Sequence, residues 1–438
     1  LISGKQTLVL LPEIALTEEW SKRFSQYFGC DPFVWHSKQT KQQKSRILRS
    51  LLSGEPSVII GARSAVLLPF KNLKLIICDE EHDSSYKQEE GPRYHAKDMA
   101  IYKAKCHNAI CTLVSASPSL ESLYNLKSKK IIGHKLLSQF HKTELPEINV
   151  IDMNNFKPSS KSWISKKIYD ETLKNLKDKN QVLFFLNRRG YAPTKICASC
   201  HAALQCHHCA VNLVYHKRID RLICHHCSSF YEPQQICKMC SSEKFISLGI
   251  GLERLQEEVE RLFPGYKSQL YSSDTLKSKK SKKTLMKDIF NQQTNLLIGS
   301  QIIGKSFHFP NLKLVNIIDG DSSLFSPDFR AMEKTYQLLQ QVAGRSGREG
   351  ERGRVLIQTY SPQHPIFESI KNQNRDDFIS MELSRREQNK LPPYTKIAQL
   401  QLIHPKLPHL RDICMEILSI SKKHQLFLLG PTPSLIPY

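Results

Sequence analysis

Short apolar runs alternate with polar, amphipathic stretches from the start of the chain to about residue 140. "QTLVLL" (6–11), "PSVIIGA" (56–62), "LKLIICDE" (73–80) and "AICTLVSAS" (109–117) read as strands, and the segments between them carry helical periodicity. Nearly continuous apolar runs mark strands buried on both faces, and the strand–helix rhythm predicts a parallel sheet. A linker-like stretch over 141–150 follows. The rhythm then resumes with "QVLFFLN" (181–187), "SQLYSS" (268–273), "TNLLIGS" (294–300), "LVNIIDG" (314–320) and "RVLIQTY" (354–360). The fold class is therefore α/β, with two parallel-sheet lobes. The first spans 1–140 and the second is split into 151–196 and 241–365 by a cysteine-rich insertion at 197–240. A partial α+β domain over 366–438 opens with a charged helix, breaks at Pro392-Pro393 and continues as strands.

One strand ends unusually. In "LKLIICDEEHDSSYKQ" (73–88), Asp79, Glu80, Glu81, His82 and Asp83 follow the apolar run directly. Carboxylates at the carboxyl end of a parallel strand lie where open α/β sheets bind ligands, so a Mg²⁺-nucleotide site is expected here; a plain solvated turn is the alternative. Turns usually draw on Gly, Pro, Asn or Ser, and the first such residue here is Ser84.

Charge sharpens this picture. Across 438 residues, 63 Lys and Arg against 41 Asp and Glu leave a formal charge of +22. A polyanionic partner follows, nucleic acid first. The run "LKSKKSKK" (276–283) is either a solvated loop or a phosphate-contacting patch. No apolar stretch approaches the roughly 20 residues of a membrane helix, and no signal-peptide pattern opens the chain, so the expected setting is cytoplasmic with no membrane partner. Eight of the thirteen cysteines fall in four C-x-x-C pairs: Cys197/Cys200, Cys206/Cys209, Cys224/Cys227 and Cys237/Cys240. Two such pairs complete one tetrahedral Zn²⁺ site, so four make two closed structural sites, with disulfides as the alternative. Cys30, Cys78, Cys106, Cys111 and Cys414 are expected to be buried free thiols.

The second lobe supplies "QQVAGRSGRE" (340–349), in which Gln341, Arg345 and Arg348 would share one face of a helix. Arginines beside glycines just upstream of a strand fit an arginine finger, whereas a salt-bridged surface helix would tolerate the two glycines poorly. "DEEH", "SASPSLES", "IGSQIIGKSFHFPN" and "QVAGRSGR" resemble motifs II, III, V and VI of superfamily 2 helicases. More narrowly, "PEIALT", "GARSAVLLPFKNL", "DEEHDSSYKQEEGPRYHAKDMA", "FLNRRGYAP", "DSSLFSPDFRAMEKTYQLLQQVAGRSGR" and the cysteine block are similar to the bacterial replication-restart helicases of that superfamily. The similarity runs over essentially the whole chain.

That resemblance implies two RecA-like lobes and an ATP-dependent 3′-to-5′ DNA helicase of the primosome, acting at stalled or repaired forks. It implies that Asp79 holds Mg²⁺ through water, that Glu80 orients the attacking water, and that His82 couples the site to Ser115, Ala116 and Ser117. Gly304 and Lys305 would contact nucleotide with Asp79 and Glu80, and Arg345 and Arg348 would approach the γ-phosphate, with Gln341 beside them. The segment after motif II resembles an aromatic-rich loop that senses single-stranded DNA; Tyr86, Lys87, Arg93 and Tyr94 would form it, and Arg63 would meet the DNA backbone. Ordinary packing is the alternative for Tyr86 and Tyr94. The zinc ligands would group as outer pairs (Cys197, Cys200, Cys237, Cys240) and inner pairs (Cys206, Cys209, Cys224, Cys227). Forks, single-stranded DNA, other primosome proteins and single-stranded-DNA-binding protein are the implied partners of a monomer. Three departures stand out. "SGKQT" (3–7) is not a phosphate loop, and no G-x-x-x-x-G-K-[ST] occurs, so the chain as given is expected to lack ATPase activity alone, the loop lying upstream. Ser306 replaces a usual Gly in motif V, and Ser117 a usual Thr in motif III. A non-catalytic zinc-bearing DNA-binding scaffold is the second reading.

Overall fold

The computed structural model describes residues 4–12, 17–36, 39–88, 91–136, 145–156, 162–187, 252–271, 294–300, 311–322, 328–347, 352–400 and 407–426, with shorter pieces of 195–247 and a few single positions. The chain divides into two compact units, Leu1–His134 and Lys135–Tyr438.

The first unit is built on a parallel sheet of β1 (Gln6–Leu10), β2 (Phe33–Trp35), β3 (Ser57–Gly61), β4 (Leu73–Cys78) and β5 (Ile110–Leu113), in the order β2-β3-β1-β4-β5. Helices α1 (Thr17–Phe28), α2 (Lys41–Ser53) and α3 (Ala96–Cys106) lie in crossovers between strands, and α4 (Leu120–Lys127) follows β5. Side chains alternate across the sheet as strand geometry dictates. Leu8, Leu10, Ile59 and Ile76 enter one core with Ile47, Leu51, Ala96 and Ala100, whereas Val9, Leu11, Val58 and Ile60 enter the other with Phe24. Each fully buried aliphatic contributes about 1.5–3 kcal/mol. Helix α2 starts on a reciprocal cap between Thr40 and Gln43 and stops at Gly54, whose φ of 85° only glycine adopts readily.

The chain leaves β1 toward β2 on one side, and returns past it to β4 on the other. The gap between the carboxyl ends of β1 and β4 is thus the switch point where such sheets bind ligands. Asp79 lies there, its N–H donating to Leu10 O at 3.0 Å.

The second unit carries a six-stranded parallel sheet. Its strands are β6 (Glu147–Asp152), β7 (Gln181–Leu186), β13 (Ser268–Tyr271), β14 (Leu296–Gly299), β15 (Leu312–Asp319) and β16 (Arg354–Thr359), in the order β13-β14-β7-β15-β16-β6. The intervening numbers belong to the cysteine-rich insertion: β8 (Lys195–Cys197), β9 (Val214–His216), β10 (Arg221–Ile223), β11 (Phe230–Tyr231) and β12 (Phe245–Ser247), in two small antiparallel sheets. Helices α5 (Lys166–Lys177), α6 (Leu252–Leu262), α7 (Ala331–Ala343), α8 (Pro365–Lys371), α9 (Arg375–Gln388) and α10 (Leu407–Lys423) complete the described elements. Val182, Phe184 and Leu186 face one core, and Leu183 and Phe185 the other.

Two expectations change. The last four residues of the stretch read as a linker, 147–150, belong to strand β6, paired with β16, because Ile148 and Ile151 supply buried anchors right after Pro146. The strands expected after Pro393 do not form over residues 395–400, where Ile397 and Leu400 lie exposed; the next described element is helix α10. A strand gains its stability from a partner edge, and none meets this segment among the described residues.

Candidate functional site

The acid loop after β4 is tightly turned. Glu80 has a φ of 47°, a left-handed conformation that costs a non-glycine residue about 1 kcal/mol or more. Its N–H donates to Asp79 Oδ1 at 3.0 Å, its carbonyl accepts from Asp83 N at 2.8 Å, and Glu81 N donates to Val114 O at 3.0 Å. Burial raises the Asp79 carboxyl above its ordinary range, opposed by the Glu80 N–H. Among the described residues no cation pairs with Asp79, so a half-buried hard oxygen ligand stands at the switch point, which fits a divalent cation such as Mg²⁺. His82 Nδ1 lies 2.6 Å from Ser115 Oγ and 3.6 Å from Glu80 Oε2, and Ser115 Oγ also accepts from Ser117 N at 3.0 Å. Glu80, His82, Ser115 and Ser117 therefore form one polar chain.

The aromatic segment that follows is a short hairpin. Lys87 and His95 bridge, Gln88 N donates to Tyr94 O at 2.8 Å, and Gly91 takes the left-handed turn at φ 65°. Lys87 and Arg93 are exposed and Tyr94 is half-buried. Tyr86 is not part of this surface. Its ring is 0% exposed, and its hydroxyl bonds Leu10 O at 2.8 Å and Asp79 O at 2.6 Å, so it has no face to offer a base. Tyr86 instead ties the carboxyl ends of β1 and β4 together. Arg63, expected on the DNA backbone, donates Nη1 to Ser85 O at 3.1 Å and Lys87 O at 2.8 Å, holding the hairpin's entrance.

Two residues escaped the sequence reading. Glu81 is 2% exposed and accepts from Lys97 Nζ (2.8 Å), Ser119 N (2.6 Å), Ser119 Oγ (3.0 Å) and Ser122 Oγ (2.9 Å). Burial would raise its carboxyl, but Lys97 and these donors hold it below the usual range. The signal was available: Lys97 shares the apolar stripe of Ala100 and Ala104 on α3, where a lysine needs an acid partner.

In the second unit, helix α7 carries Gln341 but ends at Ala343, capped by Gly344. Arg345 lies in the turn beyond, its N–H donating to Val342 O at 3.1 Å, so Gln341 and Arg345 do not continue along one helical face. Gly347, at φ 73°, cannot extend the helix. Arg348, Gly304 and Lys305, with Ser306 and the 276–283 run, lie outside the described residues. After β15, Asp321 is buried, accepting from Thr359 Oγ1 at 2.5 Å and Tyr360 N at 2.8 Å. Burial and neighbouring Asp319 push its carboxyl up to about 7.

In the insertion, the sulfurs of Cys197, Cys200, Cys237 and Cys240 all lie within 4.8 Å of one another. The Cys197–Cys240 and Cys200–Cys237 separations of 3.5 and 3.4 Å exclude S–S bonds and approach the ~3.8 Å that tetrahedral Zn–S bonds of ~2.3 Å imply. The donor set fits zinc. Cys206 and Cys224 are buried in a separate cluster with Leu213 and Leu222, while Cys209 and Cys227 lie outside the described residues. Of the remaining cysteines, only Cys78 is buried; Cys30 and Cys106 are exposed.

Comparison with known proteins agrees with this geometry. The family model "DEAD/DEAH box helicase" matches residues 1–126, and "PriA DNA helicase Cys-rich region (CRR) domain" matches 206–229. The replication restart protein PriA of Rickettsia conorii is 41% identical over 437 residues, covering 100% of this chain and 67% of that protein. Its counterpart in Haemophilus influenzae is 39% identical over 440 residues, covering 99% and 59%. That of Bacillus subtilis is 36% identical over 411 residues, covering 93% and 51%. The chain thus spans half to two thirds of the length of these relatives, and it belongs to the PriA family of replication-restart DNA helicases.

Proposed function

We propose that this protein hydrolyses ATP to move 3′ to 5′ along DNA at stalled or repaired replication forks, with the acid loop of the first unit as its hydrolytic centre. The observation that carries the reading is the Asp79–Glu80 pair at the sheet's switch point, joined through His82 to Ser115. A Mg²⁺ ion, when bound, would neutralise charge on the transferring phosphoryl group; Asp79 would hold it through water. Glu80 orients and polarises the attacking water, and the His82–Ser115 contact fixes where that carboxylate sits. The resemblance assigns Gly304 and Lys305 to the nucleotide and Gln341, Arg345 and Arg348 to the γ-phosphate side. Phosphoryl transfer draws its catalysis from positioning and charge, which these residue types supply.

DNA is read as the polyanion that the +22 charge matches. Lys87, Arg93 and Tyr94 form the sensing face of the hairpin. Two Zn²⁺ ions are assigned to the insertion, one on Cys197, Cys200, Cys237 and Cys240 and one on Cys206, Cys209, Cys224 and Cys227. Other primosome proteins and single-stranded-DNA-binding protein are the expected partners. The scaffold reading is not favoured, because a scaffold has no use for an acid pair strained at a ligand-binding switch point.

Glu80→Gln in the complete enzyme tests the core of this proposal. The substitution keeps size and hydrogen bonding but removes the charge that polarises water. DNA-stimulated hydrolysis should fall at least about a hundred-fold, the scale of a lost general base, while nucleotide affinity stays within about two-fold. Unchanged turnover would move the water-orienting role elsewhere.

A further inference from the structure

The two described arms of the hairpin, residues 84–88 and 91–95, are fixed differently. At the entrance, Tyr86 bonds Leu10 O and Asp79 O, and Arg63 bonds Ser85 O and Lys87 O. At the exit, His95 precedes α3 as its N-cap residue without a side-chain cap bond. Two residues later, Lys97 sends its ammonium to Glu81 at 2.8 Å. Glu81 is the immediate neighbour of Glu80. The same carboxylate accepts the N–H and hydroxyl of Ser119, the N-cap of α4, and Lys97 also reaches Ser119 Oγ at 3.1 Å and Ser122 Oγ at 3.5 Å. One buried knot therefore joins the acid loop, the hairpin's exit and the start of α4, which follows the Ser115–Ser117 stretch that His82 touches.

We propose that the buried Glu81–Lys97 pair is a positioning element that carries the state of the hairpin arms to the Asp79–Glu80 carboxylates. Apolar residues of similar volume would fill this space with equal or better stability, because burying two charges offsets most of their attraction. What the ionic knot adds is direction: several charge-assisted bonds of fixed length, instead of packing that can slide. With the entrance tied to β1 and β4, a displacement at the exposed side of the hairpin passes through its exit. Lys97 then moves with the first turn of α3, and Glu81 moves with Lys97. The adjoining Glu80, already in a left-handed conformation, is the backbone position least able to absorb that shift unchanged.

The inference rests on the reading that the hairpin senses DNA, and the test separates the two. In the complete enzyme, unstimulated ATPase, ATPase saturated with an oligothymidine, and oligothymidine affinity are measured for three variants. They are the double substitution Glu81→Gln/Lys97→Met, which leaves no unpaired buried charge, the conservative Lys97→Arg, and Tyr94→Ala. The double variant should lose about ten-fold in its stimulation ratio, within the usual range of coupling between sites, while its unstimulated rate and DNA affinity change by less than about two-fold. Lys97→Arg should recover most of the stimulation. Normal stimulation in the double variant overturns the proposal, and so does an equal loss of stimulated and unstimulated rates, which would mark a merely structural pair. If Tyr94→Ala loses stimulation and the double variant keeps it, the hairpin reading stands and the Glu81–Lys97 proposal falls. If Tyr94→Ala is fully stimulated, the hairpin reading fails and the proposal fails with it.

Discussion

Single residues carry opposite messages about what a sequence can disclose. The place of Asp79, Glu80 and His82 at the carboxyl end of β4 was legible because a nearly continuous apolar run stops directly at them. Tyr86 was not: a tyrosine two residues into a polar turn reads as surface, yet its ring fills the core under β1 and β4. Only the meeting of two strand ends, distant in sequence, creates the carbonyl pair its hydroxyl needs. Asp321 gives a prediction at this scale. Its carboxyl, raised to about 7 by burial and by Asp319, binds a proton in the folded state that the unfolded chain releases near the ordinary aspartate value of 3.8. The folded state thus holds more protons between these values, and stability declines as pH rises through about 7, by up to roughly 4 kcal/mol. Asp321→Asn should abolish that decline. Thermal midpoints at pH 5 and pH 8 should differ less in the variant than in the parent, and an equal difference would contradict the assignment.

At the scale of elements, the parallel strands stood out as apolar runs, since burial on both faces leaves no polar alternation to confuse them. The short edge strands β2 and β6 were harder. Phe33–Trp35 is only three residues, and β6 alternates polar and apolar positions beside Pro146. Their identity comes from the neighbour each pairs with, which lies far along the chain. The helix end at Ala343 was also missed, since Gly344 caps it without a left-handed turn and its N–H still bonds back to Gln340 O. The cysteine-rich insertion was the most legible element, because ligand spacing is a local constraint. Its small cluster around Cys206 and Cys224 is separate from both cores of the six-stranded sheet. Cys197→Ser should therefore lower bound zinc by about one equivalent, metal binding by four thiolates being all-or-none in a closed site. The parallel sheet should keep its unfolding transition. Metal analysis after dialysis, beside a denaturation curve, checks both; collapse of the sheet's transition would show that the insertion is integral to it.

For the whole molecule, net charge and local chemistry make separable contributions to DNA binding. A formal +22 supplies a sequence-independent attraction to phosphates, set by counterion release and therefore steep in salt. Stacking on one ring adds about 1–3 kcal/mol and is nearly indifferent to salt, because no counterion leaves when a base meets an aromatic face. Arg93 and Tyr94 are adjacent on the hairpin, so each can report on one contribution at the same place. Arg93→Ala should reduce the slope of log affinity for single-stranded DNA against log salt by about 0.7, the share of one phosphate. Tyr94→Ala should leave that slope unchanged and lower affinity by a similar factor at every salt concentration. Binding titrations of an oligothymidine from 50 to 200 mM salt, within the range where such slopes are linear, distinguish them. Parallel lines for the parent and Arg93→Ala would place that arginine off the phosphate track. A changed slope for Tyr94→Ala would mean that the ring aligns a cation, with the half-buried tyrosine shaping the hairpin from within rather than meeting a base.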